Sequence, residues 1–191
     1  AQLIKEKKIK KEKALPPIEG DIPSDIPSTW TAIRLGEIGD WGAGSTPLRS
    51  NSIYYGGEIN WFKSGELNHG IMDYDSVEKI TEEALAKTSV RLNKPGDVLI
   101  AMYGATIGKT GILAVTGTTN QAVCACTPFS CISSQYLHLL LKALKQTFLD
   151  QGEGGAQPNI SRVKIRTKII YLPPKEEQVI LQEVVKDLFT E

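Results

Sequence analysis

The amino-acid sequence predicts a mixed α/β domain, because strand-like and helix-like patterns occur together in one central body. Short apolar runs beside glycine and polar residues, namely "EINWFKS", "GDVLIAM", "GILAVT" and "AVCACTP", are typical of β-strands. Longer segments with apolar residues at helical spacing are typical of α-helices. The chain has 191 residues and is 41% apolar, which is enough for a hydrophobic core. The predicted body covers residues 30–173.

Two helices can be placed in this body. "TEEALAKT" predicts a helix capped by Thr81, with two glutamates in its first turn. "SSQYLHLLLKALKQTFLD" predicts a longer helix with one apolar face. That face comprises Leu137, Leu140, Leu141, Leu144 and Phe148. The segment "QGEGGAQPN" after it is expected to be a loop.

The segment "RVKIRTKII" is compatible with two structures. As a strand, it places all of its basic residues on one face. As a helix capped by Asn159 or Ser161, it distributes them around the helix axis. Both alternatives remain open at the level of sequence.

Segments of different composition flank the body. Residues 1–13 are strong helix formers with a thin apolar stripe, and residues 14–29 form a proline-rich linker. Residues 174–191 predict an amphipathic helix, since Pro174 suits a first helical turn and two glutamates follow it. The apolar stripe of this last helix comprises Ile180, Leu181, Val184, Val185 and Leu188. Both stripes are narrow, so we expect these helices to pack against partners and to be parts of longer helices.

The distribution of charge restricts how this chain can bind a nucleic acid. There are 22 Lys and Arg and 22 Asp and Glu, so the net charge is zero. Residues 1–13 carry six Lys and two Glu, or +4, which leaves −4 for the other residues. A protein that binds DNA through its bulk charge is basic throughout. DNA binding would therefore require local basic patches or a partner.

The lack of a recognisable targeting signal and the pattern of cysteines both predict a cytoplasmic location. No apolar run approaches the roughly 20 residues of a membrane span. The charged first residues are followed by no apolar segment of a secretory signal. Cys124, Cys126 and Cys131 lack C-x-x-C spacing, so neither a zinc site nor a disulfide framework is indicated. We expect buried free thiols in a reducing compartment.

The segment "MYGATIGKTG", residues 102–111, has the composition of a phosphate-binding loop without its spacing. A P-loop has four residues between its first glycine and Gly-Lys-Thr. Only three residues separate Gly104 from Gly108, and Tyr103 stands where the first glycine belongs. Tyrosine resists the positive φ that such a loop uses. The remaining alternatives are a turn that presents Lys109 to an anion of a partner, and a simple turn between strands.

Residues for catalysis or metal binding are not apparent in the sequence. Adenine methyltransferases hold a flipped base with an Asn-Pro-Pro-Tyr type of motif, which is missing here. No G-x-G-x-x-G follows a strand. There are only two histidines, too few for a histidine-based metal cluster. His138 lies within the most clearly predicted helix, so we expect it to be a packing residue and not a ligand. Asp73 and Asp75 fit a solvated turn better than a cation site.

Seven sequence blocks occur in an order that resembles one target-recognition unit of a type I restriction–modification specificity subunit. The blocks are "KEKALPPI" with "IPSTWTAIRLGEI", then "GSTP", "WFKSGEL", "KPGDVLIAMYGATIGKTGI", "TNQAV", "GAQPNIS" and "LPPKEEQVI". Together they extend over almost the whole chain. The phrase before the last helix is "YLPP", with Tyr171 where a proline is common in this family.

The resemblance implies a fold and a set of partners. Specificity subunits carry two recognition domains joined by long antiparallel helices, and each domain reads one half of a split DNA target. The implied fold is α+β with a curved, mainly antiparallel sheet and flanking helices, similar to the DNA-recognition domain of TaqI-like adenine methyltransferases. Residues 1–13 and 174–191 would be segments of the spacer helices.

The same resemblance assigns the chemistry to other subunits. Methylation belongs to a modification subunit that uses S-adenosylmethionine, and cleavage belongs to a restriction subunit that uses ATP and Mg²⁺. We therefore expect no cofactor, metal or catalytic residue in this chain, and double-stranded DNA and those two subunits as its partners. The stripe of the last helix would bind the modification subunit.

Side chains that can read bases occur on the loops of the predicted body. Asn and Gln pair with adenine, whereas Arg and Lys pair with guanine or phosphate, and small hydroxyl groups can contact either backbone or bases. The predicted DNA-binding residues are Ser45, Thr46, Lys63, Ser64, Tyr103, Thr106, Lys109, Asn120, Gln121, Gln157, Asn159 and Arg162. Each of them, taken singly, is also compatible with a polar side chain that caps a turn.

Two other functions remain compatible with the sequence. A nucleotide-binding enzyme would use the loop "GATIGKT", and a protein-assembly module would use the terminal helices without contacting DNA. The resemblance favours DNA recognition over both.

Overall fold

The computed structural model describes residues 14–20, 23–150 and 159–188, with side chains as far as residue 186. The predicted helix at residues 1–13, Gln157 and the side chain of Leu188 lie outside the described residues. Within those ranges the chain forms ten strands and five α-helices, which confirms the predicted mixed α/β class. No helix in this part of the chain is long and apolar enough to cross a membrane.

Three sheets make up the body. The strands are β1 (Thr31–Arg34), β2 (Gly39–Ala43), β3 (Tyr55–Phe62), β4 (Ile71–Met72), β5 (Lys79–Ile80), β6 (Val98–Ala101), β7 (Thr110–Leu113), β8 (Thr118–Thr119), β9 (Val123–Pro128) and β10 (Ile169–Leu172). The strand orders are β2–β9–β6–β7–β4, β5–β3–β8 and β1–β10. The pairs β3–β8 and β4–β7 are parallel and the others are antiparallel, so the sheets are mainly antiparallel as predicted.

The helices are α1 (Glu82–Lys87), α2 (Ser134–Ala143), α3 (Lys145–Asp150), α4 (Arg162–Thr167) and α5 (Lys175–Leu188). Helix α1 begins as predicted, because the Thr81 hydroxyl accepts a hydrogen bond from Ala84 N (3.2 Å). The single helix predicted between residues 133 and 150 is wrong in one respect. Leu144, with φ −77° and ψ −5°, ends α2 before α3 begins. Beyond this break, Phe148 packs into the main core with 1% of its surface exposed.

The segment "RVKIRTKII" contains a helix and a strand in succession. Ser161 Oγ caps α4 by accepting a hydrogen bond from Lys164 N (3.2 Å). Strand β10 then begins at Ile169 and pairs with β1, with Ile170 opposite Ile33. Arg162, Lys164 and Arg166 lie on the helix and are therefore distributed around its axis instead of sharing one face of a strand, and Lys168 follows the helix.

The central strands of the five-stranded sheet are buried on both faces. Val98 and Ile100 of β6 face a core that also contains Leu137 and Leu141 of α2. The alternate residues of β6 and β9 face a second core, to which Phe62 of β3 contributes. Because successive side chains of a strand point to opposite faces, the uninterrupted apolar run "VLIA" matches this environment.

Two of the three cysteines behave as predicted. Cys124 and Cys126 lie on β9 as buried free thiols, and burial raises the pKa of the Cys124 thiol to about 12. Cys131 is exposed, so the prediction of a buried thiol is wrong there. It lies in the turn between β9 and α2, outside the strand that buries the other two cysteines.

Pairing of β1 with β10 brings the two ends of the body together. Arg34 of β1 reinforces this arrangement, since its Nη2 donates to Pro17 O of the linker at 2.7 Å and its Nη1 donates to Thr167 O of α4. The boundaries at residues 13, 29 and 173 stay predictions.

Candidate nucleic-acid interface

The loop "GSTP", residues 44–47, packs closely on the segment "TNQAV". Gly44 N donates a hydrogen bond to Val123 O (2.9 Å). A Cβ on Gly44 would lie 2.3 Å from the carbonyl oxygens of Thr119 and Asn120, and both of these are backbone atoms. Only glycine permits such an approach, so this residue sets the distance between the two loops.

Two predicted amide side chains are placed by this contact. The Thr46 hydroxyl donates to Gln121 Oε1. Asn120 N donates to Phe62 O (3.0 Å), and Asn120 Oδ1 accepts a hydrogen bond from Ala122 N (3.2 Å). The local turn thus fixes the Asn120 side-chain amide through its oxygen, while the side-chain nitrogen Nδ2 has no hydrogen-bond partner among the described residues. Gln121 is exposed beside it.

The end of β3 supplies the next predicted pair, Lys63 and Ser64. Glu66 holds this turn in place, because its carboxylate accepts hydrogen bonds from Lys63 N and Val77 N, both at 2.8 Å. Thr106 Oγ1 lies 2.9 Å from Ser64 Oγ. The turn after β3 is therefore in direct contact with the "GATIGKT" loop.

The "GATIGKT" loop is a compact turn whose amides are already used. The backbone amides of Ile107, Gly108 and Lys109 donate to carbonyl groups of the protein at 2.8–3.1 Å. A P-loop directs such amides towards phosphates, so the geometry opposes a nucleotide site. Lys109 Nζ lies 3.4 Å from Gly65 O, at the surface of the turn.

The residues before this loop contact the segment that precedes α4. Tyr103 forms an isolated antiparallel bridge with Asn159. Tyr103 is 37% exposed and Asn159 is also exposed. Arg162 lies on the first turn of α4, and its Nη1 donates to Trp41 O at the sheet edge (3.2 Å).

These contacts join ten of the twelve predicted residues into one continuous surface, which we term the polar surface. Gln157 lies outside the described residues, and Arg162 contacts β2 instead. The polar surface comprises Ser45, Thr46, Lys63, Ser64, Tyr103, Thr106, Lys109, Asn120, Gln121 and Asn159.

Beside this surface lies a cluster of cations and aromatic rings that the sequence did not predict. The Arg49 guanidinium carbon lies 4.6 Å from the ring centre of Tyr55 and 4.8 Å from that of Trp61. Lys63 Nζ lies 5.6 Å from the same Trp61 ring. Arg49 follows "GSTP" by two residues, which is the only local signal of its role. Glu78, which binds both cations, comes from a distant segment and carries no such signal.

Glu78 organises the charges of this cluster. Its Oε2 lies 2.6 Å from Lys63 Nζ, and Arg49 donates from both terminal nitrogens to its two oxygens. The hydrogen bond from Arg49 and then that from Lys63 lower the pKa of Glu78, so the carboxylate is ionised at neutral pH. Two cations and one anion thus share a face with Trp61, whose Nε1 donates to Ser45 O (3.0 Å).

A second group of lysines extends the positive charge next to "GATIGKT". Gly108 has φ +75°, and a Cβ there would lie 2.7 Å from Lys145 Cγ, so the lysine stem covers the glycine. Burial lowers the pKa of His69, and Lys145, Lys142 and Lys109 lower it further. Sequence reasoning missed Lys142 and Lys145 because they lie on helices α2 and α3.

The sequence profile of the type I restriction modification DNA specificity domain matches residues 27–191. The chain belongs to this family. As a specificity domain, it is 30% identical over 160 residues to the Type I restriction enzyme MjaIX specificity subunit of Methanocaldococcus jannaschii, covering 81% of the chain and 37% of the relative. It is 26% identical over 157 residues to the EcoR124I/EcoR124II specificity subunit of Escherichia coli, covering 79% and 39% respectively.

Solved structures show the same fold. The specificity domain matches a structure reported as the structural basis of complex assembly and conformational transition of the type I R-M system. The TM-score is 0.69 and the sequence identity is 21%, and the match covers 91% of this chain and 40% of the matched chain. It also matches the crystal structure of the HsdS subunit from Thermoanaerobacter tengcongensis, with a TM-score of 0.64 and 21% sequence identity. This match covers 86% of this chain and 38% of the HsdS chain. The specificity domain thus spans less than two fifths of the length of the two curated relatives.

Proposed function

We propose that this specificity domain recognises double-stranded DNA by sequence, as the reader of one half of a bipartite target in a type I restriction–modification complex. The observation that supports this proposal is the polar surface. It unites three amides, two lysines and several hydroxyl groups from five separate segments through hydrogen bonds between them.

The chemistry of this surface matches the grooves of DNA. The amides of Asn120 and Gln121 can each present a donor and an acceptor to adenine. Lys63 and Lys109 can neutralise phosphates and set the register of the protein on the duplex. Because residues outside 1–13 carry a charge of −4, this local concentration of lysine is what makes binding to a polyanion possible.

Helix α5 supplies a separate surface for protein partners. Ile180 and Val184 lie one helical turn apart and are 57% and 50% exposed, whereas Leu181 and Val185 are half-buried. An exposed apolar stripe on a helix is stabilised by packing against another helix. We assign this face to the modification subunit and to spacer-helix contacts.

The reactions belong to the partners in this proposal. The modification subunit would bring S-adenosylmethionine, and the restriction subunit would bring ATP and Mg²⁺, so this chain supplies no catalytic step. Its contribution is to place those subunits on a defined DNA sequence in the cytoplasm.

Selection from a library of randomised DNA duplexes tests this function. The chain should enrich a short motif, and it should bind an enriched duplex more tightly than a scrambled duplex of equal composition. The affinity ratio should remain when salt is raised, because base contacts release no counterions. Failure to enrich any motif would leave the chain as an assembly module and would refute the proposal. Addition of Mg-ATP should not raise the melting temperature of the chain.

A further inference from the structure

Arg49 occupies a position that suits recognition of a base edge. Its guanidinium is stacked on Tyr55 and Trp61 at 4.6 Å and 4.8 Å, yet its side chain is 52% exposed. Stacking and ion pairing hold this long side chain in one conformation before any ligand arrives. Binding through Arg49 would therefore cost little further side-chain entropy.

We propose that Arg49 is a specificity-determining residue that reads a guanine edge of the DNA, and that Glu78 positions it and disfavours contact with phosphate. This inference rests on the proposed function. It adds a reader to the polar surface, and it gives the acidic residue at that surface a role.

The geometry leaves Arg49 the donors that it needs. A guanidinium has five N–H donors. Among the described residues Glu78 accepts two of them, one from each terminal nitrogen, which leaves three. Guanine presents O6 and N7 as a pair of acceptors in the major groove, and arginine is the residue that most often contacts that pair. Two of the remaining donors are enough for this contact.

Glu78 makes the site selective between a base and a phosphate. Its single negative charge is shared by Arg49 and Lys63, so the net charge of the three groups is +1 instead of +2. A phosphate that approaches Arg49 is repelled by Glu78, whereas a guanine edge is neutral. The carboxylate therefore costs affinity for the backbone and leaves hydrogen bonding to bases as the favoured interaction.

The position of the pair connects it to the predicted readers. Tyr55 Oη donates to Pro47 O (2.5 Å), so the aromatic support of Arg49 also holds the "GSTP" loop. Lys63 shares both Trp61 and Glu78 with Arg49. Arg49 thus lies beside the polar surface and is coupled to it.

Two substitutions separate recognition from structural support, in the full chain, with a duplex enriched by the wild-type chain and a scrambled duplex as probes. Arg49→Ala should weaken binding to the enriched duplex roughly 5- to 150-fold, the range for one bidentate base contact. Binding to the scrambled duplex should change much less, and a fresh selection should lose one guanine from the motif. Arg49→Lys should not restore that guanine, because an ammonium lacks the planar fork.

Glu78→Gln should have the opposite effect on random DNA. Removal of the carboxylate charge should tighten binding to the scrambled duplex, steepen its salt dependence by about one phosphate contact, and lower the ratio of enriched to scrambled affinity. Asp40→Asn is the matched control, since Asp40 also pairs with an arginine, Arg91, at 3.0 Å on the surface. It should leave that ratio unchanged.

Distinct outcomes overturn the inference and the proposed function. If Arg49→Ala weakens both duplexes by the same factor, Arg49 contacts phosphate and the inference is wrong. If Arg49→Ala and Glu78→Gln lower thermal stability but leave both affinities unchanged, the pair only ties the loop to β5, which also overturns it. If the wild-type chain enriches no motif, the proposed function itself fails.

Discussion

The indole Nε1 of Trp30 donates a hydrogen bond of 2.7 Å to Glu177 Oε2, joining residues 147 positions apart. The other oxygen of the same carboxylate accepts a hydrogen bond from Thr29 Oγ1 (3.1 Å). One glutamate in the first turn of α5 therefore holds the end of the linker against the helix. It acts together with the buried Gln178, which accepts a hydrogen bond from Ser133 N (3.0 Å) and donates one to Cys131 O (3.2 Å), to hold α5 on the body.

Loss of that carboxylate should destabilise the domain measurably. Glu177→Ala leaves the part-buried Trp30 indole without its acceptor, which should cost about 1–3 kcal/mol of unfolding free energy. Urea unfolding at neutral pH measures the change. Glu176→Ala is the control, because this neighbouring glutamate is exposed and should change stability by less than about 0.5 kcal/mol. Equal losses in the two variants would show that the hydrogen bond contributes nothing.

The exposed stripe of α5 should be needed for assembly and dispensable for folding. Ile180→Glu with Val184→Glu places charges on a face that is already exposed, so the body should keep its circular dichroism spectrum and melting temperature. Binding to the modification subunit, measured by co-purification, should be abolished because two carboxylates would be buried at the interface. The double variant Glu176→Gln with Glu183→Gln alters exposed positions of the same helix and should still bind. If the charged variant unfolds the body, α5 belongs to the domain core.

Local sequence signals predicted the elements that depend on local interactions. The cap at Thr81 and the helix α1 follow from residues within one turn, and the structure has both. The boundary between α4 and β10 was open because it is set by the pairing of Ile170 with Ile33, which no local pattern records. The break at Leu144 could not be predicted, because residues 133–150 contain no glycine or proline.

The same distinction explains the site. The loops of the polar surface were predicted from sequence blocks, and the structure brings most of the chosen residues into contact. The pair Arg49–Glu78 was missed because its members are 29 residues apart. Their contact depends on the pairing of β5 with β3, which places Glu78 beside Trp61, where Trp61 N donates a hydrogen bond to Glu78 O (3.3 Å).

His138 should make the domain less stable as the pH is lowered. Only 7% of its surface is exposed, and its Nε2 is buried without a hydrogen-bond partner among the described residues. Burial, and to a lesser extent Lys142, lowers its pKa from 6.5 to about 4. The folded state therefore favours neutral His138, so this contribution is complete above pH 6.5 and is lost as pH falls from 6.5 towards 4. The loss should reach roughly 3 kcal/mol.

Comparison with His138→Phe isolates that contribution. Carboxylates with lowered pKa values, such as Glu78, also lose stability in acid, but they do so equally in both proteins. The difference in unfolding free energy between wild type and variant, measured in urea at pH 7, 5.5 and 4.5, should change steadily in favour of the variant. A difference that stays constant across this range would show that His138 is not desolvated.

Lys109 and Asn120 should give different patterns of loss on DNA, because one contributes charge and the other hydrogen bonds. Lys109→Ala should weaken binding to enriched and scrambled duplexes by a similar factor, and should flatten the salt dependence by about one phosphate contact. Asn120→Ala should cost about 1–3 kcal/mol on the enriched duplex and much less on the scrambled one, with an unchanged salt slope. Ala122 N would lose its acceptor in that variant, so its melting temperature must be compared with that of wild type. If Lys109→Ala changes neither affinity nor slope, "GATIGKT" is a turn that supports Ser64 and does not contact DNA.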